Sequence, residues 1–133
     1  MKAEGYLFDA SAVYPLLDYI DKVDMSKVYV LDLTLYEVGN AIWKDHHIHG
    51  KIRDPCRLAE LFHALLRKFN VIRDLPMREV MRVAVEKGLT YYDASYVFAS
   101  VSNGLTLVSN DRDLLERGGA MPFKEFAKRL KSL

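Results

Sequence analysis

A chain of 133 residues, 50% hydrophobic and 28% charged, is long enough to bury a real core and is expected to form one domain over 1–133. Its formal net charge of +1 argues neither for nor against a nucleic-acid partner, because a balanced total can hide an acidic hole and basic rims. The lone cysteine, Cys56, excludes an internal disulfide. No run approaches a membrane span and no basic-then-apolar leader opens the chain, so the expected setting is the cytoplasm.

Tyr6–Phe8 predicts a short buried strand, β1, followed by a helix, α1, over Ala12–Lys22. Val28–Leu31 predicts β2, and α2 is expected from Thr34 to about Lys44. Asp54 is a good N-cap with Pro55 at the first helical position, and Leu58, Leu61, Phe62, Leu65, Leu66 and Phe69 behind it keep helical spacing, so α3 is amphipathic. Val71–Ile72 predicts β3. Pro76–Lys87, closed by Gly88, is α4, and Thr90 caps α5, which ends at Asn103-Gly104. Leu105–Ser109 is β4, Arg112–Arg117 a short α6, Gly118–Phe123 a last edge strand, and Pro122–Leu130 the terminal α7. Pro15, Pro55, Pro76 and Pro122 all fall at or near the first turn of one of these helices, where a missing N–H costs little.

Strands alternating with helices predict a three-layer α/β/α architecture around a central, mostly parallel sheet. Ligand sites in such sheets lie outside the carboxyl ends of the strands. Asp9 follows β1 directly, Asp111 lies two residues beyond β4, and Glu37 and Asp93 fall in the first turns of α2 and α5. Four acids distant in sequence are thereby expected at one rim.

Each acid has a plainer explanation. Glu37 stands three residues after Thr34, and Asp93 three after Thr90, both at capping-box spacing. Asp9 suits a cap of α1, and Asp111 a cap of α6. Together these explanations weaken. Two like charges about 4 Å apart repel by about 4 kcal/mol at an effective dielectric near 20, and several such pairs exceed what caps return at roughly 1 kcal/mol each. A bound cation resolves the conflict, and oxygen donors without histidine or cysteine favour Mg²⁺ or Mn²⁺ over zinc.

The same residues resemble the motifs of the PIN-domain nucleases, and among them the VapC-type toxins of prokaryotic toxin–antitoxin pairs. An Asp ending β1 with a hydroxyl two residues on matches Asp9 and Ser11. An acid in a helix with a polar residue three later matches Glu37 and Asn40. An Asp opening a helix behind a Thr cap matches Asp93 and Thr90. A Ser two residues before an Asp matches Ser109 and Asp111, with Asp113 as a further acid. The likeness runs from about Tyr6 to Phe126. Ala10 departs from it where the family often has a hydroxyl residue, and Lys44–Arg57 follows no family pattern.

The resemblance implies a metal-dependent endoribonuclease, a homodimer, and a protein antitoxin that blocks the site. Asp9, Asp93 and Asp111 are then the main metal ligands, directly or through water. Glu37 holds a second ion or orients the attacking water, Asp113 joins the metal-binding acids, and Ser11, Asn40 and Ser109 orient carboxylates. Lys44, His46, His47, His49, Lys51, Arg53 and Arg57 crowd the α2–α3 connection, as either a basic arm for RNA phosphates or a solvated loop. Arg112 is expected on a phosphate or paired with a site acid, and Lys124, Lys128, Arg129 and Lys131 on a solvated face of α7. Tyr36 and Trp43 are expected in the core or an interface rather than as base-stacking platforms. Leu35, Val38 and Ile42 on α2, with Leu58, Leu61 and Leu65 on α3, suit a partner-facing surface or plain core packing.

Other functions fit less well. A non-catalytic binding domain of the same fold would keep the acids only for folding; loss of any of the four would favour it, and all four are present. A receiver-like phosphoacceptor needs adjacent acids after β1 and a lysine ending a late strand, where this chain has Asp9 alone and Asn110. A nucleotide-binding Rossmann site needs a glycine-rich turn after β1, and none follows. Within the nucleases, RNA processing or a DNA substrate is the alternative.

Overall fold

The structure, a computed structural model, describes residues 5–131, with Lys131 known by its backbone alone. Its elements are β1 (Tyr6–Phe8), α1 (Ala10–Leu16), β2 (Val28–Leu31), α2 (Asp32–His47), α3 (Pro55–Leu66), β3 (Asn70–Ile72), α4 (Met77–Lys87), α5 (Tyr91–Ser102), β4 (Thr106–Val108), α6 (Arg112–Arg117) and α7 (Phe123–Lys131). The four strands are all parallel, in the order β3-β2-β1-β4. The chain runs outward from β1 to β3 on one side and returns to the other side of β1 for β4. The strand order therefore reverses between β1 and β4, and the helices that follow them, α1 and α6, pack on opposite faces of the sheet.

Strand side chains alternate between two cores. Tyr6, Phe8, Val28, Val30 and Val108 face one way, against Val13, Leu16, Phe62 and Phe126 of α1, α3 and α7. Leu7, Leu31 and Leu107 face the other way, against Val80, Ala84, Tyr96, Val97 and Leu114 of α4, α5 and α6. Both faces are covered, as a parallel sheet requires. No helix of the described residues is long and apolar enough to cross a membrane.

Several boundaries differ from expectation. Regular α1 stops at Leu16, and Leu17–Lys22 continues as a 3₁₀ helix. Pro15 lies inside α1 rather than in its first turn. It supplies no N–H to the carbonyl one turn back, and the helix tightens just beyond it. Helix α2 begins at Asp32 because the Leu31 N–H donates to the Thr34 hydroxyl at 3.0 Å, drawing Thr34 into the helix. The expected edge strand over Gly118–Phe123 is a single bridge between Val108 and Met121. Gly119, at φ +70°, and Pro122 bracket it and prevent a ladder. Gly88 caps α4 in the left-handed conformation at φ 64°, as its position predicts.

Helix α2 also reaches further, to His47, so Lys44, His46 and His47 are helical rather than part of a flexible arm. Residues 48–54 form the connection, pinned where His46 Nδ1 donates to the Ile52 carbonyl at 2.6 Å. Between α2 and α3, Val38, Ile42 and Leu65 are buried, while Leu61 stays exposed and Leu35, also exposed, lines a cavity of about 160 Å³. Gly39 lies mid-helix on α2, and a Cβ there meets nothing within 4 Å. Gly39→Ala should therefore stabilise the protein by about 0.5–1 kcal/mol, read as a raised thermal midpoint.

Candidate metal centre at the sheet edge

Asp9 is the first residue past β1 and is only 6% exposed. It caps α1, its Oδ1 accepting from the Ala12 N–H at 3.1 Å. The Ser11 hydroxyl donates to the same oxygen at 2.7 Å, and the Ser109 hydroxyl donates to Oδ2 at 2.5 Å. Each serine has one hydroxyl hydrogen and gives it to Asp9. Each serine oxygen in turn accepts a backbone N–H: Ser11 from Asn110 at 2.8 Å, Ser109 from Asp111 at 2.9 Å. This network staples the carboxyl end of β1 to that of β4. Burial raises the Asp9 pKa, the three donors hold it down, and the Asp111 charge pushes it up again.

Asp111 caps α6, its Oδ2 accepting from the Leu114 N–H at 3.1 Å. Asp93 lies in the first turn of α5, behind Thr90, whose hydroxyl accepts from the Asp93 N–H at 3.1 Å. The capping explanations for Asp9 and Asp111 thus hold, and both caps sit at one rim. Asp93, Asp111 and Asp113 each offer a carboxylate oxygen, and the three oxygens lie within 4.8 Å of one another. Burial first, then the charges of Asp111, Asp113 and Asp9, push the Asp93 pKa up to about 6. Asp113 is paired with Arg117 at 2.7 Å. Among the described residues no ion pair offsets Asp9, Glu37, Asp93 or Asp111.

Asp9 and Glu37 stand outside that close group of three but within its field. Burial, then the charges of Asp9, Asp93 and Asp111, raise the Glu37 pKa, against a bond from Tyr96 that lowers it. Because α2 starts at Asp32, Glu37 lies beyond the first turn and the Thr34–Glu37 capping box does not form. Instead the Tyr96 hydroxyl donates to Glu37 Oε1 at 2.5 Å, and Thr34 Oγ1 lies 2.7 Å from the same hydroxyl. The Tyr96 hydrogen is committed to Glu37, so Thr34 must donate to Tyr96, completing a relay from the Leu31 N–H to the Glu37 carboxylate.

Tyr96 and Thr34 are functional candidates absent from the sequence reading. One signal pointed to Tyr96: it follows Asp93 by three residues and so shares its helix face. Asn40 is exposed, and its side chain makes no hydrogen bond to a carboxylate among the described residues. Arg112 pairs with Glu116 at 3.0 Å rather than with a site acid. Tyr36 and Trp43 are not core residues, being 80% and 50% exposed. Arg57 pairs with Glu60 at 3.3 Å and Lys128 with Glu125 at 3.2 Å, while Arg129 donates to the Tyr6 hydroxyl. The side chain of Lys131 lies outside the described residues.

Three clustered carboxylates with no histidine or cysteine, their charge largely unopposed, form a donor set for a hard divalent cation. No family model matches the chain. It is 46% identical over 114 residues to the exonuclease VapC9 of Pyrobaculum aerophilum, covering 84% of each protein. It is 31% identical over 99 residues to the ribonuclease VapC3 of the same organism, covering 71% of this chain and 74% of that one. A crystal structure of PAE2754 from Pyrobaculum aerophilum superposes with a TM-score of 0.88 at 41% identity, covering 98% of this chain and 91% of that one. A toxin–antitoxin complex from Klebsiella pneumoniae shares the fold at a TM-score of 0.64 and 16% identity, covering 88% and 96%. The parallel sheet, the acids at its edge and these relationships together make the chain a member of the VapC-type PIN-domain nucleases.

Proposed function

We propose that this chain is a metal-dependent endoribonuclease, the toxin of a toxin–antitoxin pair, acting in the cytoplasm as a homodimer. The observation that carries the reading is the gathering of Asp9, Glu37, Asp93 and Asp111 within one another's field at the carboxyl edge of the sheet, none of them with a partner cation among the described residues. Asp93, Asp111 and Asp113 would hold Mg²⁺ or Mn²⁺, with Asp9 fixed behind them by Ser11 and Ser109. Such an ion supplies Lewis-acid stabilisation of phosphate charge and lowers the pKa of bound water. Glu37, hydrogen-bonded by Tyr96, would orient the attacking water or hold a second ion. The ribonuclease name of the VapC3 relative supports RNA as substrate. The toxin–antitoxin complex with the same fold supports a protein antitoxin, and the α2–α3 cavity lined by Leu35, Ile42 and Phe62 offers it an apolar seat. The exposed free Cys56 agrees with a reducing compartment.

The deciding experiment incubates purified protein with single-stranded RNA in EDTA, Mg²⁺ or Mn²⁺. Cleavage is expected with either metal and none in EDTA; intact RNA in all three rejects the reading. The name of the VapC9 relative favours a second possibility, cleavage from an end. A covalently closed RNA circle separates the two, since only an endonuclease opens it.

Tyr96→Phe tests the role of the relay. It removes the donor to Glu37 and strands the buried Thr34 hydroxyl hydrogen. Cleavage should fall by about 10–100-fold and stability by roughly 1–3 kcal/mol, measured by single-turnover kinetics and urea unfolding.

A further inference from the structure

Two tyrosines that the core does not claim stand beside the acids. Tyr36 on α2 is 80% exposed and Tyr92 on α5 is 60% exposed. Each immediately precedes a site acid, in the dipeptides Tyr36-Glu37 and Tyr92-Asp93. The two helices thus bring the same unit to the same edge of the sheet, a ring left in solvent next to a half-buried acid. Both rings line one open cavity of about 370 Å³, shared with Leu33, Glu37, Asn40 and Lys44. Neither ring packs on another aromatic among the described residues, whereas the exposed Trp43 stacks on His47 at 5.0 Å. Lys44 has no ion pair among the described residues, and the Asn40 amide is exposed.

These are the parts of a nucleotide subsite. Flat aromatic faces take a flat π-faced ligand with little regard to its identity, a nearby ammonium takes a phosphate, and a free amide offers a donor and an acceptor to a base edge. Glu37 borders both the cavity and the acid cluster, so an occupant of the cavity adjoins the reacting group. An apolar protein partner has the α2–α3 groove; this cavity is instead polar at one end and bordered by a carboxylate. We propose that Tyr36 and Tyr92 form a stacking subsite for the nucleobase next to the scissile phosphate, with Lys44 on the neighbouring phosphate. The proposal rests on the ribonuclease reading above.

The test uses the full chain and a short single-stranded RNA with one cleavage site. Tyr36→Ala and Tyr92→Ala should each raise KM by about ten-fold or more, with kcat little changed and thermal unfolding unaltered, because both rings lie in solvent. Tyr36→Phe and Tyr92→Phe keep the stacking face and should restore KM. Val101→Ala, at an exposed position on α5 away from the cavity, is the control. An abasic nucleotide at the flanking position should weaken wild-type binding as much as Tyr92→Ala weakens binding of intact RNA, and the two changes together should add little. Alanine variants with wild-type KM, or full binding of the abasic RNA, overturn the subsite alone. So do alanine variants that turn a dimer into a monomer in sedimentation with KM unchanged, which assigns the rings to an interface. Wild-type protein that neither cuts nor binds the RNA ends both this proposal and the nuclease reading.

Discussion

Asp9→Asn should abolish RNA cleavage, by about 100-fold or more, and leave the fold standing, whereas Asp9→Ala should damage the fold itself. The difference follows from three hydrogen bonds. Asparagine keeps an acceptor oxygen for the Ser11 hydroxyl and the Ala12 N–H. It places an amide near Ser109, whose hydroxyl can turn and accept. The negative charge disappears, and burial already opposes that charge. Alanine instead leaves two hydroxyls and one N–H without their acceptor at a position only 6% exposed. Each stranded group costs about 1–3 kcal/mol, so the alanine variant should lose roughly 3 kcal/mol or more. Urea unfolding in EDTA reads the stability, and a cleavage assay reads the activity. An asparagine variant that cuts RNA at the wild-type rate removes Asp9 from the mechanism.

Replacing Asp93 carries the second large effect, and it is visible without any substrate. The folded-state pKa of about 6 stands above the ordinary value of 3.8. A carboxyl whose pKa is raised by folding contributes stability when protonated, below the unfolded value, and that contribution is lost as pH rises through the folded value. Metal-free protein should therefore lose stability between about pH 4 and 6 on this account, with Asp9 and Glu37 acting in the same direction. After discounting for partial exposure and solvent screening, the Asp93 share is roughly 1–2 kcal/mol. Asp93→Asn should flatten the profile and make the metal-free protein more stable at pH 7, while cleavage falls by about 100-fold or more. Added Mg²⁺ or Mn²⁺ should stabilise the wild type at pH 7 and the variant much less. A pH–stability profile that is the same for both proteins in EDTA would show that the three acids do not repel one another in solution.

Much of the fold was legible because its signals are local. Asp54-Pro55, Thr90 and Gly88 announce helix ends through bonds that span three or four residues, and α3, α4 and α5 begin or end where those residues predict. Short apolar runs marked all four strands. Departures arose where one local signal competed with another. Thr34 read as the first residue of α2, but its hydroxyl reaches back to Leu31 and the helix starts earlier. Pro15 looked harmless near a helix start and instead ends the regular α-helical turns.

The candidate site divides along the same line. The types and order of the acids, with a hydroxyl two residues from Asp9 and from Asp111, are properties of the chain alone, and they sufficed to suggest a divalent cation. Which acids meet depends on pairing Tyr6 with Thr106 and Phe8 with Val108, a register between segments about a hundred residues apart that no local pattern encodes. That pairing brings Ser109 onto Asp9, and the packing of α5 against the sheet brings Tyr96 onto Glu37. The same packing leaves Tyr36 and Tyr92 in solvent, since burial is decided by what lies opposite a side chain and not by how apolar it is. Residue chemistry was written in one dimension; distance, exposure and partner were set only when the sheet closed.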